Sequence, residues 1–132
     1  MENIHSKGTL LEALGIEIIS IGKGEVTATM PVDERTRQPF GYLHGGASVA
    51  LAETVASYGS VALINLDTHI CFGLEINANH IKSKKDGVVT AKAKTLHQGR
   101  TTMVWEIKIT DEEDQLLCIS RCTVAVVEKK TM

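Results

Sequence analysis

A chain of 132 residues suits one domain, expected over residues 1–132, and is too short for two comfortable ones. A hydrophobic fraction of 43% and a charged fraction of 23% exclude disorder as the main state. Fourteen basic and sixteen acidic residues leave a net charge of −2, and aromatics are 4%, which excludes the global basic field and the stacking platforms of a nucleic-acid binder.

Residues 6–14, with Ser6, Leu10, Leu11 and Leu14, predict a short amphipathic helix with Ser6 or Thr9 as N-cap. Residues 16–21 and 25–30 alternate in β fashion around Gly22-Lys23-Gly24, which reads as a hairpin or bulge. Pro31 closes that stretch, and 32–44, with Asp33, Arg35, Pro39 and Gly41, reads as a loop. Residues 45–64 place small and apolar side chains on nearly every face, which predicts a buried helix about 30 Å long. That length also suits a membrane span, but Glu53 and the Ser, Thr and Gly content argue against one, and no membrane is expected.

From residue 69 the period becomes two, over 69–83, 87–97, 101–110 and 115–128. Asp86-Gly87 predicts a tight turn between the first two strands. Gln98-Gly99-Arg100 joins the next pair and Asp111-Glu112-Glu113-Asp114 the last. Met103, Trp105, Ile107 and Ile109 share one face; Leu116, Cys118, Cys122, Val124 and Val126 share another. Short connections imply an antiparallel meander, and one long helix with such strands is α+β. The helix then lies across the apolar face of the sheet, and its far side needs a second layer.

Cys71, Cys118 and Cys122 are an odd number, and a reducing compartment is the natural reading. Cys118 and Cys122 lie about 13 Å apart along one strand, too far for a disulfide. No basic region followed by an apolar run opens the chain, so no signal peptide is expected and the location expected is cytoplasmic.

Glu53 is the one acidic or basic residue between His44 and Asp67. A buried lone carboxylate costs several kcal/mol unless paired, hydrogen-bonded or protonated. Helical spacing puts Gly46, Glu53, Ser57 and Ser60 on one stripe. The stripe starts at the helix N-terminus, where free N–H groups favour negative charge and the glycines admit a ligand oxygen. His44 precedes that end, and Gln38 offers a neutral amide donor from the loop. The set suits attack on a carbonyl: N–H groups for the oxyanion, and a carboxylate to activate water or to attack. Ser57 is placed to orient that water. Each member also has a plainer reading. The glycines could simply open a helix, His44 could bond backbone, Glu53 could pair with a distant cation, and Ser57 and Ser60 could be packing residues.

Lys82, Lys84 and Lys85 end one predicted strand, Lys92 and Lys94 share a face of the next, and Arg100 follows in a turn. Hairpin pairing of those strands would gather a phosphate-binding patch; solvated surface charge is the alternative. His80 is placed on one face with Phe72, Leu74 and Ile76, as a core histidine or part of a ligand groove. The histidines are scattered, with no His-x-x-x-His or Cys-x-x-Cys pair, so no metal is expected. Neither a Gly-x-Ser-x-Gly elbow nor a phosphate-binding glycine loop occurs.

Gln38-Pro39-Phe40-Gly41-Tyr42-Leu43-His44-Gly45-Gly46-Ala47 followed by Ala52-Glu53-Thr54 resembles the signature of hot-dog-fold acyl-CoA thioesterases. Gly73 through His80, His97-Gln98-Gly99-Arg100 and Ser120-Arg121-Cys122-Thr123 are also similar to that family. The resemblance runs from about residue 10 to 127 and is nearest the phenylacetate-pathway and aryl-CoA branch, which includes 4-hydroxybenzoyl-CoA and 1,4-dihydroxy-2-naphthoyl-CoA thioesterases. It implies a long helix wrapped by an antiparallel sheet, a homodimer with the site at its interface, and a dimer of dimers. It implies Glu53 as nucleophile or base, Gln38 and the Gly45 N–H as carbonyl-polarising groups, His44 near the thioester sulfur, and Ser57 as the water-placing residue. Glu53 and Ser57 would come from one subunit, and Gln38, His44 and Gly45 from the other. Gly46 would be among the residues that bind the substrate, and His80, Lys82, Ser83, Gly99, Arg100 and Thr101 would lie along the CoA arm. No cofactor is implied, CoA being part of the substrate. The rival expectations are a hydratase or dehydratase on acyl thioesters, which needs a His/acid pair at carbon, and a non-catalytic acyl-CoA binding module, which gains nothing from a lone carboxylate.

Overall fold

In the computed structural model, which describes residues 6–129, the chain runs α1 (Leu10–Leu14), β1 (Glu17–Gly22), β2 (Glu25–Pro31), α2 (Gly45–Val61), β3 (His69–His80), β4 (Val88–Gln98), β5 (Thr102–Thr110) and β6 (Leu116–Glu128). Residues 1–5, from which the signal-peptide expectation is drawn, lie outside the described range. The six strands pair antiparallel in the order β1-β2-β4-β5-β6-β3. The architecture is α+β, as expected.

The meander holds only from β4 to β6. The strand after α2 does not form a hairpin with β4 through Asp86-Gly87. β3 instead pairs with β6 from His69↔Glu128 to His80↔Cys118, at the sheet edge. The free side of β4 is taken by β2, in unbroken register from Glu25↔Lys94 to Pro31↔Val88. Residues 81–87 are therefore a crossover rather than a hairpin turn. Neighbouring backbone holds them: Ile81 N–H donates to Leu117 O at 2.7 Å, and Leu43 N–H to Lys84 O at 2.7 Å. An Asp-Gly pair encodes a local bend, and Gly87 does adopt φ +85°; nothing in a bend specifies which strand lies beside which.

The crossover is also tied to the β5–β6 turn. Lys84 Nζ meets Glu112 Oε1 at 2.6 Å, and Glu112 Oε2 accepts the Val88 N–H at 2.9 Å. The Lys84 ammonium, then the backbone N–H groups, hold the Glu112 carboxyl down at about 2, against an ordinary value of 4.5. A carboxyl lowered on folding stabilises fully above its unfolded value and stops doing so as pH falls through its folded value. The Glu112→Gln variant is thus expected to lose the part of the stability decline that falls between pH 4.5 and about 2. Urea midpoints taken across that window for both proteins check it.

The concave face of the sheet is apolar because the alternation places Val26, Ala28 and Met30, Val89, Ala91 and Ala93, and Met103, Trp105, Ile107 and Ile109 on one side, all buried. On β6 a register shift between Ile109 and Thr110 turns Leu117 inward in place of Leu116. Cys118, Cys122 and Val124 face the core as expected.

α2 crosses this face. Its buried residues are Ala47, Ser48, Leu51, Ala52, Val55, Ala56, Gly59 and Ser60, a single stripe at helical spacing. The opposite stripe, including Gly46, Val49, Ala50, Glu53, Thr54, Ser57 and Tyr58, is not buried. The helix is therefore one-sided within the chain, whereas its composition reads as buried all round. Small residues on both faces hide the periodicity that normally tells inside from outside. The helix ends at Val61, short of the expected residue 64. No helix among the described residues is long and apolar enough to cross a membrane.

Candidate active site

Residue 44 begins the site because it caps α2. His44 Nδ1 accepts the Gly46 N–H at 2.8 Å, which leaves its ring proton on Nε2. The Ala47 and Ser48 N–H groups bond the His44 carbonyl. The Gly45 N–H, first in the helix, is given no acceptor by the described residues. A Cβ on Gly45 would sit 2.9 Å from His80 Nε2, so only glycine lets the imidazole lie against the start of the helix.

The loop before α2 is shaped by its own hydrogen bonds. Gln38 N–H donates to Tyr42 O at 2.8 Å, and Gly41 sits at φ +92°. The Gln38 Oε1 accepts the Phe40 N–H at 2.5 Å and the Tyr42 N–H at 3.4 Å. With its oxygen so occupied, the Gln38 amide offers its NH2 as donor. Gln38, Tyr42, Gly45, Ser48, His80, Lys82 and Ser83 line one cleft.

Glu53 lies two turns down α2 and lines a different cleft, with Gly46, Val49, Ala50, Ser57 and Tyr58 and with Leu10 and Leu11 of α1. Among the described residues no hydrogen bond or ion pair reaches the Glu53 carboxylate. Pairing with a distant lysine or arginine is thereby set aside. Ser57 shares this face one turn on. Ser60 does not: it belongs to the buried stripe, accepts the Trp105 Nε1–H at 2.8 Å and donates to Ala56 O at 2.8 Å. The expected stripe of four is therefore three, because the Trp105 indole covers Ser60 near the far end of the helix.

Other expectations are redrawn by the strand order. β3 and β4 are not neighbours, so Lys92 and Lys94 do not join Lys82, Lys84 and Lys85. They stand on the outer face beside Thr27 and Glu25 of β2 and Lys108 and Glu106 of β5. Lys84 is held by Glu112, Lys82 Nζ donates to Gln115 Oε1, and Lys85 Nζ lies 5.4 Å over the Tyr42 ring. Gly99, Arg100 and Thr101 form the β4–β5 turn, at the end of β5 opposite the crossover, about 30 Å from Lys82 and Ser83 along the strands. The register of β3 shifts between Gly73 and Glu75. Phe72 before the shift and Leu74 within it are exposed, at 52% and 61%, whereas beyond it Ile76 packs on the core, and His80 does not share the face of Phe72 and Leu74.

All three cysteines carry free thiols. Burial pushes the Cys71 and Cys118 thiols up, and burial with the Glu53 and Glu75 charges pushes Cys122 up to about 12. None has the lowered value that makes a nucleophile.

The Thioesterase superfamily profile matches residues 40–118, from the end of the loop through α2, β3, the crossover, β4 and β5 to the start of β6. The chain belongs to the thioesterase superfamily. Over 123 residues it is 63% identical to the ComA2 protein of Bacillus subtilis, covering 93% of this chain and 98% of that one. Over 121 residues it is 58% identical to the 1,4-dihydroxy-2-naphthoyl-CoA hydrolase of Listeria monocytogenes, covering 92% and 98%. The solved structure of the thioesterase SAV0944 of Staphylococcus aureus superposes with a TM-score of 0.88 at 50% identity, over 90% of this chain and 98% of that one. The fold is the hot-dog, and the protein is a thioester hydrolase.

Two features of this thioesterase were not read from its sequence. Leu10, Leu11 and Tyr58 join Glu53 in its cleft. Gly73 of β3 lies beneath the Glu53 carboxylate. The second had a signal: an isolated glycine inside a strand marks a bulge or a close approach.

Proposed function

We propose that the protein hydrolyses an acyl-CoA thioester to a carboxylate and free CoA, with aryl acyl groups favoured, at a site built between two copies of the chain. The observation that carries this reading is the division of the chemistry. Glu53, without a partner among the described residues, lies in one cleft and the Gln38 and Gly45 donors in another. The uncovered face of α2, small and largely apolar, suits a second copy that would bring one cleft against the other. The Listeria relative named for an aryl-CoA hydrolase supports the acyl class. Solved forms of the Staphylococcus thioesterase carry alanine in place of one glutamine and of one glutamate, separated in sequence as Gln38 and Glu53 are.

In this mechanism the Gln38 NH2 and the Gly45 N–H donate to the thioester oxygen and stabilise the charge that develops there. Glu53 takes the proton of an attacking water or attacks the carbonyl itself, and Ser57 orients the water. The Nε2–H of His44 faces the departing sulfur. His80, Lys82 and Ser83 border the CoA arm beside Gln38, with Gly46 at the helix entrance. Gly99, Arg100 and Thr101 reach that arm from the second copy. No cofactor takes part, and the working unit is a homodimer, paired again into a homotetramer in the cytoplasm.

Thiol release from benzoyl-CoA and a long-chain acyl-CoA tests the reading, with faster turnover expected on the aryl substrate. No thiol release across a broad acyl-CoA panel would overturn it in favour of a binding module. Loss of enoyl-thioester absorbance without thiol release would favour a hydratase.

A further inference from the structure

Gly73 stands where a strand is weakened by glycine, in the middle of the edge strand β3. Its backbone does not require one: the glycines at positive φ are Gly8, Gly15, Gly24, Gly41 and Gly87, and Gly73 is not among them. The register shift between Gly73 and Glu75 makes Leu74 the extra residue of a β-bulge, so Gly73 and Ile76 both turn toward α2. Directly opposite is Glu53. A Cβ at position 73 would lie inside van der Waals range of Glu53 Oε2 and 3.0 Å from its Cδ. The group that such a methyl would displace is the tip of a flexible side chain, not backbone. The fold could absorb it by swinging the carboxylate away.

We infer that Gly73 is a positioning residue for hydrolysis: the bulge of β3 and the missing side chain there form the floor on which the Glu53 carboxylate rests in its reactive place. The inference depends on the catalytic role proposed for Glu53 and adds what holds that group. With no hydrogen bond or ion pair to Glu53 among the described residues, steric shape is what they supply to define its position. A displacement of about 1 Å at a reacting group costs on the order of 10²-fold in rate.

The test compares kcat, KM and thermal unfolding for the wild type, Gly73→Ala, Glu53→Gln and the double variant, with benzoyl-CoA as substrate. Gly73→Ala is expected to melt with the wild type, keep its KM and lose about 10²-fold in kcat. Added to Glu53→Gln, the same change is expected to cost nothing further, because it acts through the carboxylate. Wild-type kcat in Gly73→Ala overturns the inference, and so does an equal loss in both backgrounds. Should Gly73→Ala fail to fold, Glu53→Ala/Gly73→Ala decides. Recovery of folding supports the steric account, and continued failure shows that the bulge itself needs glycine. Full activity in Glu53→Gln sinks the proposed role of Glu53 instead, an outcome readable apart from the others.

Discussion

Replacing Glu53 with glutamine is expected to cut turnover by about 10³-fold or more, with KM little changed and the fold intact. Glutamine keeps the size and planarity of the side chain. It can neither take a proton from water nor attack a carbonyl, so whichever role Glu53 plays is lost. The expectation for stability runs the other way. The carboxylate makes no hydrogen bond or ion pair among the described residues and lies against the backbone of Gly73. Removing its charge therefore deletes no favourable contact among those residues, and Glu53→Gln should unfold close to the wild-type temperature. Steady-state thiol release together with thermal unfolding reads both halves; retained turnover would remove Glu53 from the chemistry.

Trp105→Ala is expected to destabilise the fold by about 3–5 kcal/mol, a large share of the roughly 5–15 kcal/mol that holds a domain of this size. Trp105 is the single tryptophan and is 0% exposed. It sits on β5, mid-sheet, directly beneath the second half of α2. A Cβ on Gly59 would meet its ring at 2.7 Å from Cζ2, so the helix approaches the indole as closely as a bare backbone can. The ring nitrogen donates to Ser60 Oγ, and Ser60 in turn donates to Ala56 O, which locks indole and helix together. Truncation would leave a cavity that a helix anchored along its whole buried stripe cannot collapse into. Gly59→Ala tests the same contact from the other side and is expected to cost about 1–3 kcal/mol by overpacking, since a buried aromatic ring has nowhere to turn. Urea unfolding measures both. A Trp105→Ala loss below about 1 kcal/mol would show that α2 is not seated on the indole.

Several parts of this protein are set by short-range chemistry and could be read directly. Met103, Trp105, Ile107 and Ile109 alternate without interruption, and all four are buried. Lys23-Gly24 turns β1 into β2, and Gly45-Gly46 opens the long helix as its small side chains predict. Glu53 stood out because one charge in a run of small and apolar residues has no local reason to be there. Its lack of a partner among the described residues agrees with that.

What failed was decided at long range. The Asp86-Gly87 bend is present, but β3 lies against β6 and β4 against β2. The pairing of strands is chosen by which edges meet once the helix is packed, and turn residues carry no record of it. The bulge at Gly73 flips the face of every β3 residue beyond it, so one inserted residue was enough to misplace His80 relative to Phe72 and Leu74. Ser60 moved from the expected catalytic stripe to the core because the Trp105 indole of β5, a contact distant in sequence, packs over it. The sequence by itself thus determined the local elements, the fold class and the lone carboxylate of the long helix. Only the tertiary structure decided which groups share a cleft, that Gln38 and Glu53 occupy different ones, and that a glycine of β3, far along the chain from Glu53, lies under the carboxylate of α2, since distances across a fold depend on packing that no local pattern encodes.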